Sequence, residues 1–140
     1  MDGGAVTFIL AIIIVAILIF FAILLTGKRN HHHFDIENYQ TRFLEIENKL
    51  KQDNPANFPM SIINCDKLLD KAMIEMGVPG KTMGDRLKKA GNKFTNLNAV
   101  WRAHKLRNLI AHENNFEITY KQTINAVAVY KQALKDLGAI

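Results

Sequence analysis

The sequence has one cysteine, three prolines and one tryptophan in 140 residues. No run of alternating apolar and polar residues is long enough to make a strand. A lone thiol excludes a disulfide scaffold and agrees with a reducing compartment. Cys65 falls on the apolar face of a helical stretch, with no histidine near it in sequence, and reads as core filler. No internal repeat is present, and the only low-complexity tract is His31-His32-His33. Three consecutive linker histidines cannot all converge on one metal from a rigid geometry, so they read as a polar collar, and no metal or other cofactor is expected.

Charge is missing where it matters most. From Ala5 to Leu25 there are 21 residues without one, and Thr7 alone is polar. As a helix this run would measure about 31 Å, close to the ~30 Å of a bilayer's hydrocarbon core. The run has no polar face, which argues against a buried helix of a water-soluble fold. A cleaved signal peptide fits poorly: no basic residue precedes the run, and "LLTGKRN" has no A-x-A-like site. Asp2 lies before the run, and Lys28 and Arg29 follow it. The positive flank predicts a single-pass anchor of the cell membrane, with the amino end outside and the rest cytoplasmic. The expected organisation is an anchor over 1–27, a juxtamembrane linker and amphipathic helix over 28–58, and a helical domain over 59–140.

Beyond the anchor the periodicity is helical throughout, and the expected class is all-α. Ile36, Tyr39, Phe43, Ile46 and Leu50 form one stripe, with Asp35 as N-cap and Phe34 stapled onto Tyr39. Ile62, Cys65, Leu69, Ala72 and Met76 form the next, closed by Gly77. Thr82 and Asp85 are spaced as a capping pair, as are Thr119 and Gln122. Ala99, Ala103, Leu106 and Ile110 make a third buried line. Tyr120, Ile124, Val127, Tyr130, Leu134 and Leu137 make a fourth, ending at Gly138. Met73 and Met76 read as gap-fillers in the core.

Acidic residues are scarce in one region. Between Lys81 and Arg107, Asp85 is the sole acid among Lys81, Arg86, Lys88, Lys89, Lys93, Arg102, Lys105 and Arg107. Such a concentration predicts a polyanion partner, either nucleic acid or an anionic lipid surface. Gly80-Lys81-Thr82 is not a phosphate loop, because Glu75 stands where that motif needs glycine and no strand precedes it.

Inside this region "LRNLIAHE" places Arg107, Asn108 and His112 in an apolar helical run. A guanidinium offers a permanent bidentate donor to a phosphate, and an imidazole can exchange a proton with a ribose 2′-hydroxyl or a leaving oxygen. Neither role needs a metal. Asn108 would orient the imidazole or a phosphate oxygen. His104, one turn before Arg107, is the next candidate, with a surface role as the simpler reading. Five residues span about 140° of a regular helix. Arg107 and His112 therefore share a site only if the polar "ENNF" that follows frays the last turn, or if a second subunit brings them together.

The stretch resembles the Arg-x4–6-His motif of the HEPN superfamily (higher eukaryotes and prokaryotes nucleotide-binding). A looser similarity runs from Ser61 to Leu137, through "LLDKAM", "GDRLKKA" and "FEIT". The resemblance implies a small helical bundle that dimerises so that two motifs face one cleft. It also implies, for many members, metal-independent endoribonuclease activity leaving 2′,3′-cyclic phosphate ends. Arg107 and His112 match the two motif positions and Asn108 the polar one. Other members bind nucleotides or partner proteins without cleaving. The membrane anchor departs from the usual soluble members, and the residues name neither an antitoxin nor a nucleotidyltransferase partner. The expectation is therefore a membrane-anchored HEPN-like homodimer acting on RNA as a ribonuclease, with a non-catalytic module for RNA, nucleotide or protein as the alternative.

Overall fold

Side chains written into the sequence close most of the helix starts. A computed structural model describes residues 3–26, 34–50, 54–113 and 116–140, and within the first helix it describes the side chains of 3–4 and 7–22. The helices are α1 (Gly3–Thr26), α2 (Ile36–Lys49), α3 (Asn57–Glu75), α4 (Met83–Lys89), α5 (Leu97–His112) and α6 (Tyr120–Asp136), with a 3-10 turn at Gly91–Lys93. Asp35 accepts from the Asn38 backbone N–H ahead of α2, and Asn96 from Ala99 ahead of α5. Thr82 and Asp85 form a reciprocal capping box at α4, and Thr119 and Gln122 form one at α6. Each satisfies N–H groups that a helix start leaves orphaned. Gly77 and Gly138 take φ of +70° and +74°, the left-handed geometry that ends α3 and α6.

The chain divides into two compact units, Met1–His31 and His32–Ile140. In the first, α1 is 24 residues with no charged side chain, and its described apolar side chains are exposed, Phe8 at 70% and Phe20 at 62%. Among the described residues no helix is long and apolar enough to cross a membrane. The uninterrupted run of described α1 side chains, 7–22, covers about 24 Å at 1.5 Å per residue. Lys28, Arg29 and His31–His33 lie outside the described residues.

In the second unit all four other helices, α2, α4, α5 and α6, pack on α3. No strand occurs among the described residues, so the class is all-α. The core is built from Tyr39 and Phe43 of α2, Ile62, Leu69 and Met73 of α3, Leu87 of α4, and Tyr130 and Leu134 of α6. Burying each such aliphatic side chain contributes about 1.5–3 kcal/mol. Phe34 meets Tyr39 edge-on at 5.5 Å, the expected staple. Cys65 is fully buried. The expected stripes differ from the packed faces at their ends, where Ile36 stays 46% exposed and Ile124 36%. The boundary placed at 58/59 does not appear as a division between units. Tyr39, Phe43 and Ile46 bury against α3, and Lys131 of α6 reaches Glu47 at 2.8 Å.

Candidate functional site

The most developed polar arrangement in the domain lies where α3, α5 and α6 meet, and Asp66 is its centre. Asp66 is 3% exposed on α3. Its Oδ1 accepts from the Tyr130 hydroxyl of α6 at 2.9 Å and lies 2.9 Å from His104 Nδ1 of α5. Its Oδ2 lies 3.3 Å from Arg107 Nε. That distance makes an ion pair, yet the N–H is angled so that Nε, itself buried, forms no hydrogen bond. Asn108 completes the circuit: its Oδ1 accepts from Arg107 Nη1 at 3.0 Å, and its Nδ2 faces His104 Nε2 at 3.4 Å. A buried carboxylate needs such partners, because desolvating an unpaired charge costs several kcal/mol. The same surroundings push the Tyr130 hydroxyl's pKa upward, through burial first and then the Asp66 charge and hydrogen bond.

The contacts suit one tautomer of His104: with the proton on Nδ1, that N–H donates to Asp66 Oδ1, and Nε2 is left to accept from the Asn108 amide. Trp101 stands edge-on to that ring with centroids 6.0 Å apart.

The motif residues divide. Arg107 and Asn108 are brought together and turned toward α3, while His112 is not. α5 stays regular to its end, where the Glu113 N–H donates to the Leu109 carbonyl at 2.9 Å. The last turn does not fray, and the angular offset of about 140° between Arg107 and His112 stands. His112 is exposed and has no hydrogen-bond or ion-pair partner among the described residues. It belongs instead to the outer stripe of α5, with Asn98, Arg102, Lys105 and Leu109 at alternating four- and three-residue spacing.

No family model, curated protein or solved structure matches this chain. The chemistry of the site therefore rests on its own geometry.

Of the cations expected to meet a polyanion, Lys81, Lys88, Lys89, Lys93, Arg102 and Lys105 are exposed. Arg86, expected to join them, does not: its guanidinium is turned inward. It is 7% exposed, with Nε and Nη2 donating to the two Asp70 oxygens at 2.7 and 2.8 Å and Nη1 to the Gly80 carbonyl at 2.6 Å. A guanidinium committed at this many donors braces the α3–α4 junction. Among the described residues no three His, Cys, Asp or Glu side chains are grouped as a metal site requires.

Sequence reasoning missed Asp66 and Tyr130 and undervalued His104. A signal was present. Asp66 stands four residues after Ile62 and three before Leu69, inside the arc of a buried stripe, where a carboxylate needs a partner.

Proposed function

We propose that this chain is a membrane-tethered module of HEPN-like architecture whose helical domain captures RNA without cleaving it. The observation that carries this reading is the division of the motif. Arg107 faces a buried carboxylate at 3.3 Å, and His112 lies on a different face of the same regular helix, so one chain assembles no acid–base pair around a phosphate. The exposed cations of α4, the 3-10 turn and α5 supply the electrostatic attraction an RNA backbone requires. Support for the tether is α1 itself, 24 residues without a charge and apolar on every side. A cytoplasmic placement of the domain follows from the Lys28 and Arg29 flank.

The test is binding of a labelled single-stranded RNA by the full chain in detergent, measured against salt. Affinity should fall steeply between about 50 and about 200 mM. Changing Lys88, Lys89, Lys93, Arg102 and Lys105 to glutamine should flatten the logarithmic slope by up to ~0.7 per contact removed. Salt-independent binding, or an unchanged slope in the variant, would refute the reading.

His112, exposed and without a partner among the described residues, favours one second reading, a ribonuclease assembled from two copies, each bringing its His112 to the other's Arg107. In chelator it would yield fragments with 2′,3′-cyclic phosphate ends. His112→Ala would lower the rate by ~10²–10⁴. Intact RNA after prolonged incubation with the dimeric chain excludes it.

A further inference from the structure

We propose that His104 governs the direction of the Arg107 guanidinium: with a neutral ring Arg107 stays on Asp66, and a protonated ring takes over Asp66 and frees Arg107 for a phosphate of bound RNA. The proposal rests on the RNA-binding reading above and adds a control to that site.

Two contacts hold Arg107 inward, and one proton on His104 undoes both. The first is the ion pair with Asp66, already incomplete because Nε makes no hydrogen bond at 3.3 Å. Asp66 has one negative charge to neutralise. When the imidazole 2.9 Å away becomes a cation, it supplies that neutralisation through a well-formed hydrogen bond, and Arg107 becomes the redundant partner. The second is the Asn108 amide. In the neutral state Nδ2 points at His104 Nε2 and Oδ1 accepts from Arg107 Nη1. Protonation turns Nε2 into a donor, so two donors would face each other at 3.4 Å. Rotating the amide to present Oδ1 to the ring aims Nδ2 at Nη1, again donor to donor, and the Arg107 contact is lost.

Among the described residues, the ring's hydrogen-bond and aromatic contacts offer no acceptor other than Asp66. From α3 the facing charge is Asp66, and from α6 the Tyr130 hydroxyl approaches through the same Oδ1. From α5 itself come Arg107, Asn108 and the uncharged Trp101. Arg86 of α4 and Asp70 of α3 are bonded to each other. Arg107 needs little travel, since its side chain is already 28% exposed against 12% for His104. Because the coupling is reciprocal, RNA that engages Arg107 raises the proton affinity of His104 by the same factor.

The experiment uses the full chain in detergent micelles with ¹⁵N-labelled histidine and arginine, as parent, His104→Gln and Arg107→Gln. Without RNA, the Arg107 ¹⁵Nε and Hε chemical shifts are followed from about pH 8 to about pH 5.5, a range over which imidazoles titrate. In the parent, they should move from a buried to a solvent-exposed position in step with the His104 ring nitrogen shifts, while His104→Gln keeps the buried position across the range. With a fluorescein-labelled single-stranded RNA, the parent should gain about tenfold more affinity on acidification than His104→Gln, the value of one charge-assisted hydrogen bond. Arg107→Gln should lack the same excess, and comparison with it removes the contribution of His112 and the linker histidines. An Nε–H signal indifferent to the His104 titration overturns the proposal, as does an equal affinity gain in parent and His104→Gln. Should His104→Gln not fold, the parent titration alone decides. Absence of RNA binding at every pH refutes the module reading, and the RNA-free titration still judges the switch.

Discussion

At the scale of single residues the domain places reactive groups in surroundings that restrain them. Cys65 is the clearest case. Burial raises its thiol, with the Glu47 and Asp66 charges adding to the effect, and the pKa is pushed up to about 12. Between about pH 8.5, where the unfolded chain ionises, and about pH 12 the native state therefore keeps the thiol protonated while the unfolded chain does not. The sign follows from linkage: this contribution to stability is complete below about pH 8.5 and is lost as pH rises through about 12. Native protein at pH 8 should thus react with a thiol-titrating disulfide reagent far more slowly than urea-unfolded protein. Equal rates in the two states would show that the thiol is accessible. Asp66, one residue further along α3, shows how a residue is overlooked when its partners lie far away in sequence. The stripe of Ile62, Cys65 and Leu69 was legible in the sequence, and so was the acid inside its arc. The identity of the partners was not legible, because Tyr130 is 64 residues away and His104 is 38, and no local period links them.

Among the elements, the short ones reveal most about what stabilises the fold. α4 has seven residues, below the length at which an isolated helix persists in water. Its capping box and the Arg86–Asp70 pair supply what its length cannot. Asp70→Ala should cost about 3–5 kcal/mol by leaving a buried guanidinium unpaired, and Thr82→Ala about 1 kcal/mol. Urea unfolding followed by circular dichroism measures both, and a near-neutral Asp70→Ala would show that Arg86 finds other acceptors. Helix starts and stops were the most readable part of the sequence. The Asp35, Thr82 and Thr119 caps and the two terminal glycines depend on neighbours within four residues. Arg86 was misread for the opposite reason. Its role as an internal brace depends on Asp70 of another helix, whereas sequence shows only one more cation in a basic run. Polar "ENNF" marked where α5 ends, at His112, and the Glu113 N–H to Leu109 carbonyl bond means that the condition of a frayed last turn is not met.

For the whole molecule the governing contrast is between two units of opposite character. Every cation and every acid but Asp2 lies beyond the apolar run, while α1 carries none. If α1 is the tether, a charge at its middle should release the chain. Ile14→Arg costs at least ~2.5–3.5 kcal/mol at the centre of a bilayer helix. The variant should move from the membrane pellet to the supernatant after alkaline extraction, and retention would require another means of attachment. The all-α class was legible from periodicity. The grouping of α2 with α3–α6 was not, because a stripe records that a face is buried and not which helix covers it.

One further property follows from Trp101. It is the only tryptophan in the chain, and its ring stands 6.0 Å from that of His104. All indole emission from this protein therefore originates beside the Asp66 circuit, and the molecule carries an optical gauge of that junction with no added dye.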